Sequence, residues 1–323
     1  MERKAHLSGI GFAIIFGFSF MFSKIALNVV SPIGLIAYRF LLAFLGFSLL
    51  RATKIVVVRL EKRHFVLLFL VALCQPVLYF LFETFGLEQT SSGEAGMMIA
   101  LIPIVVSILS TLFLKEKPRV IQLLFIALSV GGILFIQFSK ENQPGGPHGW
   151  GFLLLAFAVL SAALYNIASR KASKTLKPHE VTYFMMLMGA LVFNIIYVIQ
   201  LLIQGDITQY VTLLLNLELV LPLLYLGLVA SIGGFFLVNY TLSRLPAHVS
   251  SIYSNLSTVV AIVAGAIFLQ ETLAYYHYLG AIMIIGGVYG TVWMNRHPSP
   301  KVMGLLPEAC SNSIDSQKKE SRH

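Results

Sequence analysis

Apolar residues run along this chain in blocks of membrane-crossing length, separated by short polar, basic or glycine- and proline-containing breaks. A helix needs ~20 mainly apolar residues to cross the hydrocarbon core of a bilayer. Ten blocks qualify: 8–30, 33–50, 65–87, 93–114, 119–138, 150–169, 180–203, 219–242, 247–269 and 274–294. The pattern predicts an all-α polytopic membrane protein with ten transmembrane helices. An even number of crossings places both termini on the same side. Residues 297–323 have no apolar period and are rich in Ser, Lys and Glu, the composition of a disordered tail.

The blocks repeat. A shift of 155 positions carries Leu101, Val105, Phe113, Leu114, Glu116, Gly131 and Gly132 onto Leu256, Val260, Phe268, Leu269, Glu271, Gly286 and Gly287, and Phe80 and Leu87 onto Phe235 and Leu242. A shift of 146 relates the first two blocks of each half, with Ser23, Lys24, Ala26 and Pro32 meeting Ser169, Arg170, Ala172 and Pro178. The offset grows by nine through a longer polar linker near 205–210. The chain thus divides into five-helix repeats at 1–142 and 148–296, joined by the breaker-rich run Gln143, Pro144, Gly145, Gly146, Pro147. Five crossings is an odd number, so the second repeat enters from the opposite face. Two inverted five-helix repeats of membrane segments are a mark of secondary transporters, whose binding sites lie between the halves.

Charge fixes an expected orientation. Twenty of the 23 Lys and Arg fall in the segments that are internal if the N-terminus is internal, including Arg51, Lys54, Arg59, Lys62 and Arg63 before block three and Arg170, Lys171, Lys174 and Lys177 after block six. Only Lys140 falls in an outer loop. Basic residues accumulate on the cytoplasmic side, so both termini are expected there, with the cell membrane the expected location. The same distribution removes nucleic acid as a reading of the net charge of +9. Charged residues make up only 11% of the chain against 57% hydrophobic, far from the ~25% charged content of a soluble domain. Arg3 and Lys4 precede a long apolar run with no cleavage-site pattern, so this run is read as the first retained helix. Cys74 and Cys310 lie at different depths and are not expected to form a disulfide.

Two cations fall inside the spans. Lys24 and Arg39 are each seven or eight residues from Pro32, which at ~1.5 Å per residue puts both at one depth on adjacent helices. An ionisable group near the bilayer centre costs ~2.5–3.5 kcal/mol on insertion scales and ordinarily faces a cavity or a partner. For Lys24 a contact with cargo and snorkelling to the outer headgroups both stand. For Arg39 the structural reading is preferred, with Glu83 as a candidate counter-ion. Proton coupling would need a titrating carboxylate within the membrane, for which Glu83, together with Glu94, is available.

Other polar side chains mark an expected cavity wall: Ser19 in the first block, Gln75 and Tyr79 on one face of the third, Tyr165 and Asn166 in the sixth, Asn239 in the eighth, and Tyr253, Ser254, Asn255 and Thr258 in the ninth. Hydrogen bonds between packed helices explain any one of them equally well. Glu116 and Glu271, at matching turns, are expected to accept backbone N–H groups at the start of the following helix. Gly131, Gly132, Gly286 and Gly287 are expected at close helix contacts, and Pro76 and Pro103 at kinks. No His-x-x-x-His, Cys-x-x-Cys, Gly-x-x-x-x-Gly-Lys or Gly-x-Ser-x-Gly occurs, so metal catalysis and ATP-driven pumping lack a motif.

Taken together, the two five-helix repeats, Pro103 in a fourth helix that ends Leu114-Lys115-Glu116, its counterpart Leu269-Gln270-Glu271, and the Gly-Gly pairs at 131 and 286 resemble the EamA-type exporters of the drug/metabolite transporter superfamily. In place of the aromatic-Gly-x-Asn often found in the family's first helix stands Phe16-Gly17-Phe18-Ser19, and Thr258 replaces the fourth-helix proline in the ninth. The resemblance implies a small-molecule cargo held in a central cavity by the first, third, fourth, sixth, eighth and ninth helices. The expected function is secondary export of a small metabolite, such as an amino acid or a related compound, without enzymatic chemistry. An integral-membrane enzyme would need a His, Asp or Glu cluster at one depth, and a channel a filter-like loop.

Overall fold

The structure is a computed structural model, and it describes residues 2–59, 61–89, 98–139, 149–213, 216–268 and 273–296. The helices are α1 (Glu2–Leu27), α2 (Pro32–Ala52), α3 (Phe65–Ala72, Leu73–Leu78 and Tyr79–Glu88 in succession), α4 (Ile102–Leu114), α5 (Val120–Ser139), α6 (Gly149–Ala172), α7 (Pro178–Gln204), α8 (Leu217–Leu224, Tyr225–Gly234 and Phe235–Arg244), α9 (Ala247–Ser251 and Tyr253–Phe268) and α10 (Tyr275–Arg296). Among the described residues there is no strand. Eight of these helices are long and apolar enough to cross a membrane, and α4 and α5 are shorter apolar helices. Exposed Leu49, Leu112, Ile203 and Ile282 show how apolar the outer surface is, as expected of a surface that meets lipid rather than water.

Local signals set the ends. Ser31 accepts a hydrogen bond from Gly34 N at 3.2 Å, and Pro32 occupies the first turn of α2, where its missing N–H leaves no bond unmade. Pro178 plays the same part in α7, whose Glu180 carboxylate accepts from the backbone N–H of Lys177 (2.9 Å) and of Arg59 (3.3 Å). The α7 helix stops at Gly205, whose φ of +76° is a left-handed conformation that glycine adopts without strain. The linker after it carries a helical turn, Gln209–Thr212. Tyr210 there packs on Tyr38 and Tyr197, and its carbonyl accepts from the Tyr38 hydroxyl at 2.8 Å.

The helices pack in pairs that exchange with one another when the halves are exchanged. The α2 helix packs on α7 and α5 on α10; α1 packs on α9 as α6 does on α4; and α1 packs on α8 as α6 does on α3. Glycines set the closest of these contacts. A side chain at Gly17 would collide with Val260 of α9, and one at Gly234 with Phe16 of α1. In the Gly-Gly pairs only the second member is tight. A Cβ at Gly132 would sit 2.7 Å from the Gly280 carbonyl oxygen, and one at Gly287 2.6 Å from Ser129 Cβ, whereas at Gly131 and Gly286 the nearest atoms are 3.6 and 3.9 Å away. The expectation of close packing therefore needs correcting for Gly131 and Gly286, which have ordinary room.

Two spans depart from regular α-helix in the middle: α3 is broken, and α8 is widened without a break. In α3 the stretch Leu73–Leu78 widens into a π-type turn in which Gln75 is extended (φ −150°, ψ 122°) just before Pro76. In α8 the π-type stretch is Tyr225–Gly234. The shift of 155 carries Pro76 onto Ser231, so the break in α3 aligns with the π-type stretch of α8, which follows Pro222. Pro103 differs from Pro76: it lies in the first turn of α4, where proline fits without a kink.

Candidate cargo site

The break in α3 and the π-type stretch of α8 lie beside Arg39. Arg39, in the second turn of α2, is buried, and its Nε donates to Ser231 Oγ in the π-type stretch of α8 at 2.8 Å. Ser231 in turn donates to the Leu226 carbonyl at 2.8 Å, which fixes its oxygen toward the arginine. The guanidinium lies over the rings of Phe80 on α3 (5.3 Å) and Phe40 (5.8 Å). These rings meet edge to face, and Phe40 also stacks on Phe193 of α7. The arginine thus stands on an aromatic base formed by three helices. One turn along α3 from the break, Tyr79 donates to Glu83 Oε1 at 3.0 Å. Tyr79 also meets Phe80 edge to face, which sets Glu83 beside the arginine's aromatic base, yet Glu83 and Arg39 are not ion-paired. Each retains unengaged atoms: the two terminal nitrogens of Arg39 and Oε2 of Glu83 have no hydrogen-bond partner among the described residues.

The arrangement reverses the expected order of the two cations. Lys24, in the last turn of α1, is exposed, and Arg39 at the same nominal depth is buried between the halves. Depth along a helix leaves open which way a side chain points. That depends on helix rotation, which the sequence pattern around Lys24 leaves undetermined.

The remaining polar residues separate into groups. Asn239 (1% exposed) accepts from Tyr165 at 3.0 Å and Ser169 at 2.6 Å, and donates to Thr182 at 3.0 Å and toward Met185 sulfur at 3.5 Å. Both its acceptor and donor positions are used, so Tyr165 and Asn239 stitch α6, α7 and α8 in this conformation. Asn166 donates to its own helix, at Ala162 O, and Ser19 likewise to Phe16 O. Asn255 donates to Ser129 Oγ of α5 at 3.2 Å, and Tyr253 OH is 2.7 Å from His6 Nδ1 of α1. Gln75 is partly buried at the α3 break. The structure therefore gathers Tyr79 and Glu83 with Arg39, joins Tyr165, Asn239, Tyr253 and Asn255 to neighbouring helices, and turns Asn166 and Ser19 to their own backbone.

Glu116 makes a contact that its sequence neighbours do not announce. Its Oε1 accepts from Arg170 Nε of α6 at 2.8 Å, and its Oε2 from the backbone N–H of Ala247, at the start of α9, at 2.8 Å. The N-terminus it caps is thus α9, not the following α5 as expected. Arg170 also donates to the Leu242 carbonyl at the end of α8, at 2.9 Å. One carboxylate and one guanidinium tie four helix ends together across the two halves. Glu271, Glu94 and Lys140 lie outside the described residues.

An apolar groove between α2 and α7, lined by Leu41, Phe44, Leu191 and Ile195, lies on the exposed face. Its one polar side chain, Asn194, already donates to the Ala37 and Ala190 carbonyls, so the groove reads as lipid-facing surface. Among the described residues no group of His, Cys, Asp and Glu could hold a metal ion.

Comparison with known proteins decides the family. The profile of the EamA-like transporter family matches residues 3–138 and again 149–293. The chain belongs to the EamA-like transporter family. This EamA-like protein is 37% identical over 290 residues, 90% of the chain and 93% of the relative, to a Bacillus subtilis protein described as the uncharacterized transporter YcxC. It is 26% identical over 299 residues to a probable amino-acid metabolite efflux pump of Escherichia coli, covering 91% of this chain and 96% of that one. A solved crystal structure of a protein 16% identical in sequence superposes with a TM-score of 0.75 over 90% of this chain and 99% of its own, which shows a shared fold. The EamA-like chain is accordingly an integral membrane transporter by family.

Proposed function

We propose that this protein is a secondary transporter that exports a small metabolite, such as an amino acid or a related compound, by alternating access. In this reading ten transmembrane helices form two inverted five-helix repeats, 1–142 and 148–296, in the cell membrane with both termini cytoplasmic. The observation that carries it is the partly unsatisfied couple, Arg39 and Glu83, beside the break in α3 and the π-type stretch of α8, where Arg39 of the first half bonds Ser231 of the second. Carriers hold cargo at discontinuous spans between their repeats, and irregular backbone at membrane depth is tolerated where it lines protein or a cavity. The exchange of helix pairings between halves supports the repeat. So do the two separate family matches. Rocking of the halves would break and remake contacts that cross between them, of which the Glu116–Arg170 pair is one.

Counterflow in proteoliposomes tests the proposal. Vesicles loaded with unlabelled amino acid should accumulate the labelled compound transiently, through exchange. A membrane enzyme would instead convert the label, and a channel would show no stimulation from the opposite side. Either result refutes the carrier reading.

A further inference from the structure

We propose that Arg39 and Glu83 together hold a zwitterionic α-amino acid with an uncharged side chain, Arg39 taking the carboxylate and Glu83 the ammonium group. This inference rests on the transporter reading and specifies its cargo by chemistry. The first support is geometric. Arg39 is fixed at its inner edge by Ser231 and across its face by Phe40 and Phe80, while its terminal nitrogens have no hydrogen-bond partner among the described residues. A guanidinium anchored through Nε presents its remaining fork for two-point bonding to a planar carboxylate. Glu83 is likewise fixed through one oxygen by Tyr79 and leaves the other for a donor.

The second support is electrostatic. Neither Arg39 nor Glu83 has an ion-pair partner among the described residues, so two ionisable groups in a low-dielectric interior stand without a compensating charge. A ligand carrying one charge of each sign, a few bonds apart, compensates both at once and adds no net charge to the membrane interior. A purely anionic or cationic ligand would leave one member of the couple unmatched, at the cost attached to a lone buried charge.

The third support comes from the repeat. The shifts of 146 and 155 carry Arg39 onto Met185, Tyr79 onto Gly234 and Glu83 onto Val238. Helix packing recurs in both halves, and the charge couple occurs in one. The couple is therefore among the features that distinguish the halves. Arg39 reaches across to α8, so occupancy of its free nitrogens bears on a contact between the halves, and this gives a bound ligand a means of shifting their equilibrium.

The test uses the purified full-length protein in detergent. Its thermal unfolding is followed with each proteinogenic L-amino acid, and with the N-acetyl and methyl ester derivatives of any that stabilise it. At least one amino acid with an uncharged side chain is expected to raise the melting temperature with dose. Both derivatives should bind at least ~10-fold more weakly, because each leaves one buried charge unpaired. In Glu83→Gln the penalty for N-acetylation should disappear while that for esterification remains; in Arg39→Gln the reverse should hold. Should either variant fail to fold, the derivative series on the unmodified protein decides alone. No stabilisation by any amino acid, or derivatives that bind as tightly as their parents, overturns the inference. Counterflow with the stabilising compound separates the two readings: binding with charge selectivity but no exchange refutes transport and keeps the site, while exchange indifferent to both blocking groups refutes the site and keeps transport.

Discussion

Replacing Glu116 by Gln probes the contact that joins most helix ends. The carboxylate accepts one charge-assisted bond from Arg170 and one from the first N–H of α9, both at 2.8 Å. Glutamine keeps the shape but has a single acceptor oxygen. Whichever partner that oxygen serves, the amide NH2 points a donor at the other. Exposed ion pairs contribute ~0–1 kcal/mol, and breaking a fully buried one costs ~3–5 kcal/mol. Both side chains here are 21% exposed, so the pair falls between these limits. A hydrogen bond to a charged group is worth ~1.5–3 kcal/mol, and the lost charge at the α9 N-terminus adds ~0.3–1 kcal/mol. A loss of ~2 kcal/mol follows, which in a chain of this length lowers the melting temperature by roughly 3–6 °C. Arg170→Gln should cost more, because it also abandons the Leu242 carbonyl. The double variant should recover ~1–2 kcal/mol of coupling. Cargo selectivity in counterflow should be unchanged, since Glu116 lies at the helix ends and away from Arg39. A coupling energy below ~0.3 kcal/mol, or altered selectivity with an unchanged melting temperature, would refute this account.

Two further predictions concern the repeat. Gly287→Ala should destabilise the α5–α10 pair by ~1–3 kcal/mol through overpacking against Ser129 and the Phe125 carbonyl. Gly286→Ala, next in the chain, should be neutral or gain ~0.5–1 kcal/mol of helix propensity; equal melting temperatures for the two variants would sink the distinction. The repeat carries Arg170 onto Lys24 and Glu116 onto Glu271, so the observed pair predicts a functional partnership between Lys24 and Glu271. Exchange rates should fall in Lys24→Glu and in Glu271→Lys and recover in the combined variant, and a combined variant no better than either single one would refute it.

The all-helical class and the apolar helices were legible because a membrane span must be long and apolar, and the repeat shows itself in the sequence as a constant offset. The site was less legible, for reasons visible in particular residues. Arg39 and Lys24 looked alike because distance from Pro32 gives depth alone. Asn239 looked like cavity lining because a buried amide looks the same in sequence whether its partners are protein or cargo; its bonds to Tyr165, Ser169 and Thr182 became visible only once three helices were assembled. Glu116 looked like the cap of the next helix because local capping is the commonest use of such a carboxylate. Its actual partners lie 54 and 131 residues away. The π-type stretch of α8 begins three residues after Pro222, and within it Ser231 aligns with Pro76.

The repeat also bears on which residues the architecture shares. Several features recur under the shifts: the prolines opening α2 and α7, the tight glycines Gly132 and Gly287 between α5 and α10, and the irregular mid-span stretches of α3 and α8. Each serves a backbone or packing need that both halves share. Arg39, Tyr79 and Glu83 do not recur, and their equivalents Met185, Gly234 and Val238 bear no charge. Placing two charges within the spans costs several kcal/mol, and the bonds seen here, one to Ser231 and one to Tyr79, leave that cost partly uncompensated. Met185 shows that the equivalent position packs well with an apolar side chain, buried as it is and touched by Asn239. An apolar residue thus suffices at the equivalent position, which supports the proposal that a ligand completes the couple.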